Sequence, residues 1–274
     1  MPKNLLIYGG YNWFGFEIFQ RLLDENSFTN FIIVDSFQNQ LWKDSIKEKF
    51  DEYKYLYEEN IFLYCIDIKD KYKLEEIYKT FKITHVINNI KYNIYDVYMK
   101  EKIDGYQNIC ELNKKYKVFS YICLRRIISH NSFALNYFNS DFVSIGDSFN
   151  DCVQKIHKQY HKDMKFQIVD IHDYVYGVKK DSYNDIVYKY KHIIHSKCPT
   201  YIHKCKFYLQ NDNDLLNMVE DCVLDKSARN MKVYHYSYLD LYETIYFFLT
   251  GDNKYRDKVI HDNKELIEYI QSSS

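Results

Sequence analysis

Leu5-Leu6-Ile7-Tyr8-Gly9-Gly10-Tyr11-Asn12-Trp13-Phe14-Gly15 is the stretch that decides the fold. Its opening residues are an uninterrupted apolar run, as a strand buried on both faces requires. Beyond the glycines, Phe14, Ile18, Leu22 and Leu23 recur at helical spacing. The segment therefore reads as a strand over Asn4–Tyr8, a tight turn, and a helix over Phe14–Asp24. Glycine is scarce in this chain, 7 in 274 residues, yet Gly9, Gly10 and Gly15 all fall here. A close strand-to-helix turn without a ligand is one reading. A turn that receives a nucleotide phosphate at the helix start is the other. Asp35 favours the second: it ends the next strand, Asn30–Asp35, about 20 residues on, where a carboxylate can bond an adenosine ribose.

Outward from this turn, apolar β-rich runs alternate with helix-periodic ones. Phe62–Ile66, Thr84–Asn88, Val118–Leu124 and Phe166–Ile171 read as strands. Lys73–Phe81, Val97–Tyr116 and Ser148–Lys162 read as the helices between them, and Asp51–Glu59 as a solvated helix or loop. Such alternation predicts an α/β protein with a doubly wound parallel, Rossmann-type sheet and right-handed crossovers. After Gly177 the pattern loosens. Asp185–His195, Leu215–Leu224 and Tyr238–Leu249 read as helices, and Thr200–Tyr208 as a short strand region. The expected organisation is a dinucleotide-binding-like domain over 1–177 and a smaller C-terminal lobe over 178–274, lying over the carboxyl ends of the strands.

Composition excludes several classes. Hydrophobic residues make up 46% and charged residues 27%, so the chain is not disordered as a whole. With 37 Lys+Arg against 38 Asp+Glu the net charge is -1, and no nucleic-acid partner is expected. No apolar run approaches the roughly 20 residues of a membrane span, and the start lacks the pattern of a signal peptide. A cytoplasmic protein without membrane partners is expected. The 30 Tyr and 18 Phe, with Lys far outnumbering Arg, look like an AT-rich genome, so aromatic abundance carries little functional information. A large DNA virus and an AT-rich protist both fit that bias; the former would put the protein in host cytoplasm or a virion. The seven cysteines contain no CxxC pair and read as reduced thiols. His157/His161 and His192/His195 have helical spacing but lack zinc-motif partners, so no metal is expected.

With these residues in view, the chain resembles the extended short-chain dehydrogenase/reductases, the class of nucleotide-sugar epimerases and dehydratases. The family's TGGxGxxG aligns with Tyr8 to Gly15, with Asn12 in place of the middle glycine. Its Gly-Asp-Ile/Leu beside adenine aligns with Cys65-Ile66-Asp67-Ile68, and its VIHLAA phrase with Val86-Ile87-Asn88-Asn89-Ile90-Lys91. NVxGTxN aligns with Lys102 to Asn108, NVYG with Tyr174-Val175-Tyr176-Gly177, and FIYVDD with Leu216 to Asp221. These matches run in order from residue 5 to about residue 245. The resemblance implies NAD as cofactor, a nucleotide or nucleotide sugar as ligand, and contacts from Gly9, Gly10, Asn12, Trp13, Phe14, Gly15, Asp35, Asp67, Ile68 and Asn88.

The same alignment implies that the family's chemistry is missing. Its strand-five Ser-Ser/Thr falls on Cys123-Leu124, and its Tyr-x-x-x-Lys falls near Ser144 and Ser148. A proton donor, the lysine that tunes it and the hydroxyl that orients substrate are replaced together. Tyr-x-x-x-Lys does recur at Tyr78/Lys82, Tyr98/Lys102 and Tyr176/Lys180, but chance placement would give roughly three or four such pairs. Tyr137 or Lys155 could substitute only if the preceding loop is shifted. No catalytic residue is therefore assigned. Asn12, which tolerates left-handed backbone but adds bulk, and Ile90 and Lys91, in place of small residues, predict weak dinucleotide binding at best. Arg125-Arg126 suit either an anion or an ion pair. Three readings stand: a degenerate, non-catalytic nucleotide-binding or interaction module; an active NAD-dependent nucleotide-sugar enzyme with relocated groups; and a component of a homo-oligomer or larger viral assembly.

Overall fold

The computed structural model describes residues 2–36, 43–57, 59–90, 99–126, 141–171, 174–176, 186–195, 206–226 and 233–272. The chain divides into two compact units. One comprises Met1–Arg125, Ser144–Asp170 and Met218–Arg229; the other comprises Arg126–Val143, Ile171–Asn217 and Asn230–Ser274.

In the first unit, strands and helices alternate as β1 (Asn4–Tyr8), α1 (Trp13–Asp24), β2 (Asn30–Asp35), α2 (Lys43–Leu56), β3 (Ile61–Cys65), α3 (Lys71–Phe81), β4 (His85–Asn88), α4 (Met99–Lys115), β5 (Ser120–Arg126), α5 (Asp141–Tyr160) and β6 (Lys165–Ile171). The strands form the expected six-stranded parallel sheet in the order β3-β2-β1-β4-β5-β6. The order reverses between β1 and β4, and a ligand of such a sheet binds at the carboxyl ends beside that switch point. Register puts Tyr8 beside Val34 and Asn88, Asp35 beside Cys65, and Asn88 beside Cys123. One edge of the sheet therefore collects the glycine turn, Asp35, Asp67 and Asn88.

All five residues of β1 are buried. On one side, Phe16 and Phe19 of α1 pack edge-on or tilted against Phe50 of α2, each at 5.0 Å between ring centroids. The stretch expected to be a solvated helix or loop from Asp51 is the second half of a helix that begins at Lys43. Ile46, Phe50 and Tyr53 follow one another at i, i+4 and i+7, the apolar stripe that holds α2 to α1. Likewise α5 starts at Asp141, about two turns before the expected Ser148.

A buried polar chain joins β1 to α3 and α4. Tyr8 donates to the Tyr78 hydroxyl at 3.1 Å, and Tyr78 donates to Asn113 Oδ1 at 2.7 Å. This gives Tyr78 a structural task and removes the Tyr78/Lys82 pair from any catalytic reading. At the amino-terminal edge of the sheet, His85 sits between the rings of Phe28 and Phe119, with centroids 5.1 and 5.6 Å away.

The second unit contains β7 (Tyr174–Tyr176), α6 (Ile186–His195), β8 (Lys206–Asn211), β9 (Val233–Ser237), α8 (Tyr238–Thr250), a 3-10 helix (Asn253–Lys258) and α9 (Lys264–Ser272). β7 pairs parallel to β8, which pairs antiparallel to β9. Its core gathers Val187, Tyr190, Tyr236, Leu241, Ile245 and Leu266, among others. Helix α7 (Asp212–Leu224) begins in this unit and ends in the first, where Val219 and Val223 are buried.

The interior of the first unit can be probed at two points. Tyr78→Phe leaves both its neighbours without a partner and should cost about 1–3 kcal/mol in urea denaturation, more than Tyr8→Phe, which leaves the bond to Asn113 in place. Burial and nearby Lys3 and Lys165 lower the His85 pKa from 6.5 to about 4. Between those pH values the unfolded chain binds the extra proton, so stability present above pH 6.5 is lost as pH falls toward 4. The urea midpoint should fall over that window by an amount equivalent to a few kcal/mol, and His85→Phe should flatten the fall.

Candidate nucleotide-binding site

The glycine turn leaves β1 with Gly9 at φ +67°, the left-handed region that favours glycine. A Cβ there would also lie 2.6 Å from the Asn89 carbonyl oxygen. Gly9 N–H donates to Val34 O at 2.8 Å, which keeps the turn on the sheet. Gly10 is buried against Ile33. Gly15, in the first turn of α1, lies so close to the chain at Gly9 and Gly10 that a Cβ would come within 2.9 Å of backbone atoms of both. Trp13 and Phe14 open the helix, where the first N–H groups have no intrahelical acceptor.

Asn12 does not use the left-handed backbone that an asparagine tolerates. It is extended, at φ -138° and ψ 165°, and caps α1 by accepting from Gly15 N–H at 3.0 Å. Its amide nitrogen donates to Gly9 O. Asn89, buried just past β4, donates to the same Gly9 O at 3.1 Å and to Asn12 Oδ1 at 3.0 Å. Nothing in the sequence pattern assigns Asn89 this role. Its one signal is a polar residue following Asn88 at a strand end.

Asp35, at the end of β2, reaches the turn. Its Oδ2 accepts from Tyr11 N–H at 3.1 Å, so the carboxylate borders Gly9–Gly15. Burial first, then the negative charges of Asp51 and Asp35, push the Tyr11 phenol pKa well up, so it stays neutral. At the end of β3, Asp67 accepts from Lys69 N–H at 3.0 Å and keeps Lys69 Nζ at 3.6 Å. Ile68 lies directly over Gly105, where a Cβ would meet it at 2.3 Å. Asn108 donates to Ile68 O at 3.2 Å. The Gly105 and Asn108 pair thus braces the Asp67–Ile68 segment. Asn88 is fully buried: it donates to the Tyr121 hydroxyl at 2.9 Å and accepts from Ile90 N–H at 3.2 Å, supporting the turn from beneath.

Further along the edge, Cys123 and Leu124 are buried. Burial pushes the Cys123 thiol up to about 12, which leaves it protonated and a poor nucleophile. Arg125 grips Asp170 of β6 with two parallel bonds, at 2.7 and 2.9 Å, so the ion-pair reading of Arg125 holds. Lys155 is exposed on α5. The side chains of Arg126, Ser144 and Ser148, and the residues Lys91, Tyr98 and Tyr137, lie outside the described residues, as do Gly177 and Lys180. His157 contacts Phe166 O at 3.2 Å and His161 contacts Lys158 O at 2.9 Å. Among the described residues no group of three or more His, Cys, Asp or Glu side chains is placed to hold a metal, and no helix is long and apolar enough to cross a membrane.

No protein-family model matches the sequence, and no curated protein matches it. Solved structures do match. A dTDP-glucose 4,6-dehydratase from Bacillus anthracis in complex with NAD is 14% identical, with a TM-score of 0.67 over 97% of this chain and 89% of that one. A UDP-glucose 4-epimerase from Thermotoga maritima with UDP-glucose is 15% identical, with a TM-score of 0.66 over 98% and 96%. An ADP-L-glycero-D-manno-heptose-6-epimerase from Helicobacter pylori is 13% identical, with a TM-score of 0.65 over 92% and 83%. The chain therefore has the fold of the extended short-chain dehydrogenase/reductases.

Gly15→Ala tests the turn. Alanine is favoured over glycine inside a helix by about 1 kcal/mol. Here its Cβ would overlap backbone at Gly9 and Gly10. The overlap should win, with a net loss of about 1–3 kcal/mol in denaturant titration.

Proposed function

We propose that this protein is an extended short-chain dehydrogenase/reductase-type module that keeps a nucleotide-binding edge and lacks the family's hydride and proton chemistry. The observation that carries this reading is the content of the reacting end. Where the family places a hydroxyl to orient substrate stand a buried, protonated Cys123 thiol and an apolar Leu124. The next side chain along β5, Arg125, is engaged by Asp170. The alignment puts Ser144 and Ser148 at the positions of the tyrosine and lysine, and an unassisted hydroxyl is too weak an acid to replace a tuned phenol.

NAD, which several of the structural neighbours carry, fits this edge only in part. The adenosine half has support from Asp35 and from the braced Asp67–Ile68 segment. Gly9, Gly10 and Gly15 keep the turn geometry, with Trp13 and Phe14 at the helix start. A dinucleotide along this edge would have Asn12 beside its pyrophosphate, and beyond it the edge holds the buried Leu124 and the Arg125–Asp170 pair. No reaction step is therefore assigned to the cofactor. The ligand class is a nucleotide, with NAD bound weakly and a nucleotide sugar as the other candidate, since one neighbour carries UDP-glucose.

The test is an assay of a panel of nucleotide sugars with added NAD(H) and NADP(H), followed by mass spectrometry of the products. No turnover is expected. A positioned acid/base supplies about 10²–10⁴-fold in rate, and here the whole cooperating set is replaced. The combined variant Leu124→Thr, Ser144→Tyr, Ser148→Lys should gain measurable activity. Wild-type turnover that disappears in Tyr137→Phe would establish a relocated acid and end the non-catalytic reading.

A further inference from the structure

A dinucleotide laid across a β1–α1 turn sets its pyrophosphate against backbone N–H groups at the helix start, and a small residue at the middle of the turn lets it approach. In this protein that space is bridged by side chains. Asn12 Oδ1 accepts from Gly15 N–H at 3.0 Å and from Asn89 Nδ2 at 3.0 Å. Gly9 O accepts from both amide nitrogens, Asn12 Nδ2 and Asn89 Nδ2. An amide nitrogen carries two hydrogens, so both hydrogens of Asn89 are committed inside the turn. The result is a closed ring of two side-chain amides and one backbone carbonyl, anchored in β1 and α1 on one side and just past β4 on the other.

The ring bears on a phosphate in two ways. It takes the Gly15 N–H, a donor from the first turn of the helix, for an internal acceptor. It also couples the two asparagines: if Asn12 turned aside for an anion, Asn89, which is 3% exposed, would lose an acceptor it cannot replace with water. The ribose and base end is held by other contacts. Asp35 meets the turn at Tyr11 N–H, and the Asp67–Ile68 segment is braced by Gly105 and Asn108.

We propose that Asn12 and Asn89 form a latch that sets the specificity of this edge for a nucleoside, an adenine with its ribose diol, over a dinucleotide with a bridging pyrophosphate. The proposal rests on the nucleotide-binding reading above and adds Asn89 as its specificity-determining residue. It is a statement of what the turn selects against, and it claims no anion site at the helix start.

Calorimetric titration of the full chain with adenosine and with NAD tests it, for the wild type, Asn12→Gly, and Asn12→Gly/Asn89→Ala. Glycine is a tolerable cap, so the single variant keeps the helix start and also leaves the Asn89 bond to Gly9. The wild type should bind adenosine at least as tightly as NAD. The double variant should bind NAD about tenfold or more tightly than the wild type, with adenosine affinity held within about twofold. If the double variant does not fold, as read by circular dichroism, the folded Asn12→Gly variant decides the matter, and a smaller gain for NAD is expected there. A wild type that prefers NAD, or an NAD-to-adenosine ratio unchanged by the substitutions, overturns the latch and leaves the nucleotide-binding reading standing. Binding of neither compound by any of the proteins overturns the latch, and if UDP-glucose also fails to bind, the nucleotide-binding reading falls with it.

Discussion

The approach of α1 to the end of β1 is the constraint that organises the first unit. Gly15 lies against backbone of Gly9 and Gly10, closer than any side chain would permit. That contact sets where α1 begins and how it lies on the sheet. It brings Phe16 and Phe19 over Phe50 and Phe31, and so decides where α2 can pack. It also brings the Asn12 side chain into reach of Gly9 O and of Asn89 from β4's end. A turn of this kind is a local feature in the chain and a three-strand feature in the fold, because its partners come from β1, β2 and the end of β4.

The same edge shows which residues build the frame. Residues that build the frame stand where backbone approaches backbone or packs tightly: Gly9, Gly15 and Gly105 each sit where a Cβ would collide. Cys123 and Leu124 fill the interior as well as a serine or threonine would, and better in apolar surroundings. Arg125 and Asp170 satisfy each other, so a charged pair at the carboxyl ends of β5 and β6 is neutralised without a ligand. At Cys123, Leu124 and the Arg125–Asp170 pair, packing and charge are met from within the protein.

Much of the architecture is legible in the chain because period and punctuation are local. The apolar runs at Asn4–Tyr8 and Asn30–Asp35, the rare glycines and the acid at 35 place the first three elements within a residue of their observed bounds. The start of α2 escapes such a reading because the helix's stripe of Ile46, Phe50 and Tyr53 is interleaved with charged residues, which keeps its mean hydropathy low. In the second unit β7, β8 and β9 are short strands whose pairing joins residues far apart in the chain, and no local pattern specifies such a partner.

Residue identity and spacing suffice for the sheet class and for the position of the turn. What occupies the turn instead is a matter of folding. Asn12 looks in the motif like a bulkier glycine and is an extended helix cap, and Asn89 has no evident task until β4 brings it beside Gly9. Asn88, aligned with a ligand contact, is engaged as a buried brace between Tyr121 and Ile90. Side-chain amides can donate and accept in many directions, so their roles are set by the neighbours that folding delivers. The bonds from Asn88 to Tyr121 and from Asn89 to Asn12 and Gly9 span 33 to 80 positions of the chain, beyond the reach of any local pattern.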